Sequence, residues 1–296
     1  ARDGVAARVS IESVQSVGKL WNVVATLPGI QEPSKTVMVT GHYDSVLTNG
    51  FVDNAGGVAA MLAIAEVMSD AVANHGYAPR YTTTFVAFTG EELGYVGSLG
   101  YIRMHQSNLG NIVAMLNFDC IGAQTMVISE TEPSGGLDLD VVLQTAASDL
   151  DVVVVSEPPE GSDQYAFIDP SAASWTYLNS WDSDPGVGTW GVPECCMIAS
   201  APTSYQGMWT GGAYGTIHTD RDSKESALGT GWVSATNLAE QTQVGLLGVV
   251  RLNAVDNAIP EPQTDLALML GAFVAVAAAA MFVVSWVLYR RTRREG

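Results

Sequence analysis

Along most of the chain, short apolar runs of strand type alternate with longer stretches of helical period. Arg8–Glu12 and Trp21–Leu27 read as strands, the second ending at Pro28-Gly29. Thr36–Gly41 is a compact buried strand, and Gly57–Asp70 carries a helical repeat through Val58, Met61, Leu62, Ala65 and Met68. Thr83–Thr89 predicts a strand, Leu93–Gln106 a helix and Ile112–Phe118 a third core strand. A strand at Met126–Ser129, a helix around Leu137–Ala147 and a strand at Val152–Val155 come next. The strand Cys195–Ala199 and a final helix from about Leu228 to Asn253 complete the pattern. This alternation predicts an α/β fold: a central, mostly parallel mixed β-sheet with helices on both faces. Ligands of such folds collect at the carboxyl ends of the strands.

The pattern changes character in two places. Between Glu157 and Pro193 no period holds, and Trp175, Trp181 and Trp190 sit among glycines and prolines. Tryptophans in so long a loop point to an ordered segment near a binding site. From Leu266 to Tyr289, 24 residues run without a charge, about 36 Å of helix and enough to cross a ~30 Å hydrocarbon core. Arg290, Arg291, Arg293 and Arg294 follow at once, while Ala258–Asp265 has no basic residue. The positive-inside rule then puts the tail in the cytoplasm.

These signals predict an extracellular domain over 1–257, a Pro-stiffened stalk over 258–265, a transmembrane helix over 266–289 and a basic cytoplasmic tail over 290–296. The lipid bilayer is thus an expected partner, and the cell membrane the expected location, with a single pass. Pro260-Glu261-Pro262 ahead of the apolar run also resembles C-terminal sorting tags that are cut and exchanged for another anchor. The chain opens on Ala1, so processing upstream is expected.

Charge narrows the partners. Of 13 basic residues only nine lie in positions 1–264, against 29 of the 31 acidic ones. So acidic a body repels phosphate backbones, and nucleic-acid binding is not expected. Three cysteines, Cys120, Cys195 and Cys196, exclude a disulfide-built scaffold. No coiled coil or dimer face can be read, which leaves the oligomeric state open.

The chemistry sits just after the core strands. His42 and Asp44 close the strand Thr36–Gly41, and Asp53 opens the helix that follows. Glu91-Glu92 closes Thr83–Thr89, Asp119 closes Ile112–Phe118, and His218 lies in Ile217-His218-Thr219-Asp220. Singly, each has a bland explanation, Asp53 as a helix cap for example. Together they gather carboxylates and imidazoles at one sheet edge, a charge cluster that is costly unless cations neutralise it. Mixed His and carboxylate donors without thiolates suit zinc or another borderline divalent metal.

At this point the chain resembles the two-zinc aminopeptidases of metallopeptidase family twenty-eight, the group of the secreted bacterial leucine aminopeptidases. The resemblance runs from about Trp21 to Asn253. It rests on Asn22–Gly29 (NVVATLPG), Gly41–Val46 (GHYDSV), Asp53–Gly57 (DNAGG), Phe88–Gly97 (FTGEELGYVG), Asn117–Gly122 (NFDCIG) and His218–Ser223 (HTDRDS). It implies Zn2+, two per chain: His42 and Asp119 on one ion, Glu92 and His218 on the other, Asp53 bridging. It implies that Asp44 orients His42 and that Glu91 is the general base and acid. Peptides with a free N-terminus are the implied substrates, cleaved by a water held between the two zinc ions.

Two departures accompany the resemblance. The family's Tyr ahead of the last histidine is Ile217 here, so Tyr214 or Tyr205 is a candidate for the hydroxyl that meets the oxyanion. Its Ser-Asp-His stretch is Ser162-Asp163-Gln164, with Asp163 a candidate near the substrate. Glutaminyl cyclases, which use one zinc, resemble the family too, and so do membrane-anchored binding modules such as the transferrin receptor and nicastrin. Those modules have lost ligands that this chain keeps. Cys120 reads as a small buried residue, His75 and His105 as surface, and Arg221-Asp222 as a supporting pair or a solvated loop.

Overall fold

The computed structural model describes residues 18–46, 48–129, 138–157, 161–168, 194–201, 217–219, 222–229 and 233–254. The expected strand Arg8–Glu12, most of the tryptophan-bearing stretch, Tyr205, Tyr214 and the segments beyond residue 254 lie outside them. Seven strands form the sheet: β1 (Val23–Leu27), β2 (Glu32–His42), β3 (Tyr81–Phe88), β4 (Ile112–Phe118), β5 (Thr125–Ser129), β6 (Val154–Glu157) and β7 (Glu194–Ala201). The helices are α1 (Gly57–Asn74), α2 (Val96–Met104), α3 (Leu139–Asp149), α4 (Asp163–Ile168), α5 (Lys224–Gly229) and α6 (Ala235–Leu252).

The sheet order is β1-β3-β2-β4-β7-β5-β6. The pairs β3–β2, β2–β4, β4–β7 and β5–β6 are parallel, and β1–β3 and β5–β7 antiparallel, so the sheet is mixed with a parallel centre. Alternation along the central strands divides the core. Val37, Val39, Leu116 and Phe118 face the layer of α1, α3 and α6, while Met38, Val86, Phe88 and Met115 face that of α2 and α4. A sheet buried on both faces explains why its strands read as continuous apolar runs.

Three elements differ from the expected pattern. Strand β2 starts at Glu32, because a register shift between Glu32 and Thr36 lets the polar Pro33-Ser34-Lys35 bulge out before the buried half. Helix α2 starts at Val96, since the preceding residues are spent on the turn that carries Glu91 and Glu92. The expected helix Leu228–Asn253 is two helices, and α6 begins where the Ser234 hydroxyl accepts from the Asn237 amide. The helix α4 lies within the stretch that shows no period in sequence. Among the described residues, one helix is long and apolar enough to cross a membrane. That is the unit ending in α1, whose buried face packs on the sheet.

Candidate metal centre

Three parallel neighbours, β3, β2 and β4, end side by side. The pairing of Thr40 with Asn117, extended by two residues, sets His42 beside Asp119, and His42 pairs with Phe88, just before the Glu91-Glu92 turn. Residues Phe51–Gly56 form a wide turn between β2 and α1 that returns Asp53 to this edge, and the Asp53-Asn54 peptide is cis. The turn is stitched to β4 through Asn54. Its Nδ2 donates to the Phe118 carbonyl at 2.8 Å, and its Oδ1 accepts from the amides of Gly57 at 3.0 Å and Cys120 at 3.3 Å. Gly57 has to be glycine for this approach, as a Cβ there would lie 2.4 Å from the Phe118 carbonyl oxygen. Tyr95, Cys120 and His218 adopt left-handed backbone conformations near these residues, uncommon for side chains with a Cβ.

The predicted residues converge. His42 Nε2 lies 3.1 Å from Asp53 Oδ1 and 3.4 Å from Asp119 Oδ1. His218 Nε2 lies 3.0 Å from Asp53 Oδ2 and 3.1 Å from Glu92 Oε2. Among the described residues, buried His42 Nε2, Asp119 Oδ1 and Glu92 Oε1 nevertheless lack any hydrogen bond of acceptable geometry. Close approach without hydrogen-bond direction means that these donor atoms aim at shared points rather than at each other. Leaving such atoms unpartnered costs about 1–3 kcal/mol each, more for charged groups, which a bound cation offsets. Donor atoms of His42, Asp53 and Asp119 lie within 4.8 Å of one another, as do those of Asp53, Glu92 and His218, and of His42, Glu91 and Glu92. The donor set fits zinc.

Asp44 supports the site from two sides. The His42 Nδ1 is 3.1 Å from the Asp44 main-chain carbonyl and 3.6 Å from its carboxylate. A carbonyl can only accept, so Nδ1 carries the proton and Nε2 keeps its lone pair for the centre. The Asp44 carboxylate accepts from the amides of both Glu91 and Glu92 at 3.2 Å. One aspartate therefore orients the imidazole mainly through its backbone and anchors the adjacent glutamates through its side chain.

Charge in the centre is unbalanced. Among the described residues, none of Asp44, Asp53, Glu91, Glu92 and Asp119 pairs with lysine or arginine. Burial works to pull the His42 imidazole down, but the Asp119 charge, with Asp44 and Asp53, outweighs it and holds the ring well above its ordinary value. Asp53 and Glu92 raise His218 to about 10. Burial works to raise Asp53, but His218 and His42 hold it below the usual carboxylate range. Burial pushes Glu91 well up, reinforced by Asp119, Asp163 and Glu92 and opposed by His42, and it raises Glu92 as well. Without another cation the imidazoles supply the positive charge that the carboxylates need. A divalent ion held by these residues would supply it instead and leave both rings neutral.

Asp163 is fully buried at the start of α4, pushed by burial to about 7, and among the described residues neither of its oxygens has a hydrogen bond of ordinary geometry. Its neighbours are firmly held. Asn117 Nδ2 donates to Ser162 Oγ and to Gln164 Oε1, both at 2.9 Å, and Asn117 Oδ1 accepts from Thr40 at 2.7 Å. Ile217, where the family has tyrosine, is buried in an apolar cluster with Val52 and Cys120. His75 is exposed beside Asp70, and His105 stacks on Tyr101, both apart from the centre.

Sequence reasoning left Asn54 and the Asn117 network without a role and offered Asp222 only as half of a supporting pair with Arg221 or as a solvated loop residue. Asn54, Asn117 and Asp222 all lie inside quoted motifs, which was the available signal. Asp222 is no solvated loop residue. It is buried, and its carboxylate accepts from the amides of Val52 at 2.8 Å and Asp53 at 3.2 Å.

The parallel sheet edge thus gathers histidines and carboxylates into a centre suited to zinc, with Glu91 on the same turn as the candidate donor Glu92. Residues 22–225 match the model of Peptidase family M28, and the chain belongs to that family. It is similar to a probable zinc metalloprotease of Pyrenophora teres f. teres, 33% identical over 38% of this chain and 25% of the relative. It is also similar to a probable glutamate carboxypeptidase of Arabidopsis thaliana, 27% identical over 56% of this chain and 21% of the relative. The chain thus spans about a quarter of the length of these curated relatives. Among solved structures it resembles a zinc aminopeptidase from Bacillus subtilis, with a TM-score of 0.59 and 21% identity over 80% of this chain and 51% of that one. An aminopeptidase from Aneurinibacillus sp. strain AM-1 has a TM-score of 0.56 and 21% identity over 82% of this chain and 50% of that one. The fold is that of these zinc aminopeptidases, and by family the chain is one of the M28 peptidases.

Proposed function

We propose that the chain is an aminopeptidase with two zinc positions that releases the first residue from peptides. The observation that carries this reading is the division of Asp53. One of its oxygens faces the His42 imidazole at 3.1 Å and the other faces His218 at 3.0 Å. A carboxylate shared in this way suits a bridge, with His42 and Asp119 completing one position and Glu92 and His218 the other. When bound, zinc would polarise the scissile carbonyl and acidify the attacking water.

The remaining work falls to side chains. The Asp44 carbonyl keeps His42 in the tautomer that leaves Nε2 free, and the Asp44 carboxylate holds the backbone of both glutamates. Glu92 is thereby committed to the His218 side, while Glu91 has no ion-pair partner among the described residues and sits within reach of His42 and Glu92. A carboxyl raised by burial binds a proton more readily, which suits Glu91 to take the proton of the attacking water and pass it to the leaving amine. The surplus of carboxylates favours the ammonium of a free N-terminus. That preference for charge at the substrate's amino end separates this reading from a carboxypeptidase.

Mass spectrometry of the zinc-loaded protein acting on paired peptides tests the reading. The free peptide should lose its first residue, and the N-acetylated twin should persist at least about a hundredfold longer, since an orienting charge contact is missing. Cleavage of both twins at the carboxyl end would refute it. Loss of ammonia alone from an N-terminal Gln peptide would mean a one-zinc cyclase instead.

The apolar run Leu266–Tyr289 and the arginines after it support a second part of the proposal, a catalytic domain held outside the cell by one membrane helix. In intact cells, added protease should digest the domain and spare a short C-terminal fragment. Protection of the whole domain until the membrane is opened would reverse the orientation.

A further inference from the structure

We propose that Asp222 is a positioning residue that sets the affinity of the Glu92/His218 metal position by fixing Asp53 and His218 relative to each other; this rests on the two-zinc reading above. The segment that carries His218 meets the segment that carries Asp53 at three points. The Asp222 carboxylate spans two consecutive amides, Val52 N on Oδ1 at 2.8 Å and Asp53 N on Oδ2 at 3.2 Å. Ile217 shares an apolar cluster with Val52. Between these anchors, His218 Nε2 reaches Asp53 Oδ2 at 3.0 Å.

The chain around Asp222 is itself closed. Its amide donates to the Thr219 carbonyl at 3.0 Å, and His218 sits in the left-handed region with φ of 59°. The carboxylate is buried and lies 169 residues along the chain from the Asp53 amide that it receives. A two-oxygen grip on two adjacent amides removes both translation and rotation of that backbone, which a single hydrogen bond does not. His42 and Asp119, by contrast, are placed by the pairing of β2 with β4, and Asp222 makes no contact with those strands among its hydrogen bonds. Loss of Asp222 therefore acts unequally on the two positions.

The test is stepwise calorimetric titration of metal-free protein with Zn2+, using wild type, D222N and D222E, with H218A to mark which step belongs to the Glu92/His218 position. In D222N one oxygen becomes an amide donor that opposes a backbone N–H. The marked step should weaken about 10–100-fold, the usual effect of losing an outer partner of a metal site, while the other step, which shares Asp53 but keeps His42 and Asp119 on their strands, weakens by a clearly smaller factor. D222E keeps both acceptor oxygens and should recover most of the loss. Circular dichroism of the metal-free forms checks folding. A folded D222N with both steps unchanged, or with both equally weakened, overturns the proposal. So does a D222N that fails to fold beside a D222E that titrates like wild type, since that pattern marks a scaffold residue. A wild type that binds a single equivalent removes the two-zinc reading itself, a different result from any of these.

Discussion

Glu91→Gln should lower turnover at least about a hundredfold, and up to about ten-thousandfold, the range over which positioned general bases act, with zinc content unchanged. The amide is nearly isosteric with the carboxyl, and the Glu91 backbone stays anchored by Asp44, so the geometry of the turn should survive. What changes is the capacity to take a proton. Glutamine cannot accept the proton of an attacking water, and the adjacent Glu92 is already engaged with His218 at 3.1 Å. Removing a buried carboxyl that is crowded by Asp119, Asp163 and Glu92 should also relieve repulsion, so the metal-free variant should melt no lower than wild type. Elemental analysis and single-turnover kinetics at matched zinc content separate the two claims. Near wild-type turnover would remove Glu91 from the reaction, and lost zinc would make it a ligand.

The second large effect is expected at Asp53. Changing it to asparagine should weaken both metal positions by more than about a hundredfold, beyond the loss caused by an outer partner alone. One oxygen of the present carboxylate faces each imidazole. In asparagine one of those oxygens becomes an NH2 group, which presents hydrogens to whichever side it faces, and the negative charge between the two positions disappears. The same change takes away a counter-charge that raises both His42 and His218, so both rings should titrate at lower pH in the metal-free variant. Calorimetric titration with Zn2+, and NMR titration of the two imidazoles, read these effects separately. Loss at one position only would show that Asp53 belongs to that position and does not bridge.

Both variants bear on a centre whose positioning is shared unevenly between strands and loops. His42 and Asp119 sit on adjacent parallel strands, where the ladder sets their spacing. Asp53, Glu92 and His218 sit on turns, and these need the added grip of Asn54, Asp44 and Asp222. Substitutions of these supporting residues should therefore be felt first on the loop side of the centre.

Much of the molecule was legible before any coordinates. The parallel centre of the sheet, helices on both faces and the cluster of chemistry at strand ends follow from local patterns. Apolar runs bounded by glycine and polar residues report burial on two faces, and the residues after such runs must lie at the edge of the sheet. The motifs around His42, Asp53, Glu91-Glu92, Asp119 and His218 marked the candidate donors that the fold brings together, because each is a short contiguous signal. The resemblance to metallopeptidases rested on those segments, and the family match covers them.

Less legible were the features made by contacts between distant segments. Nothing local shows that Asp222 receives amides some 170 residues earlier in the chain, or that Asn117 joins Thr40 to the flanks of Asp163. The role of Asp44 was seen in part. The resemblance implied that it orients His42, and the fold gives that contact chiefly to the main-chain carbonyl and turns the carboxylate to the two glutamate amides. The start of α2 was misplaced because the turn at Gly90 to Tyr95 has the composition of a helix, but its backbone is bent to present Glu91 and Glu92.

By itself the sequence determined which residue types meet at the sheet edge and what metal they suit, since strand burial and donor chemistry are both local properties, while the reaction class came from the resemblance of its motifs to a known family. Only the tertiary structure decided how Asp53 divides its oxygens, which nitrogen of His42 is free and which buried carboxylate steadies the turn. Those are matters of direction and distance between segments far apart in the chain, and a linear pattern carries neither.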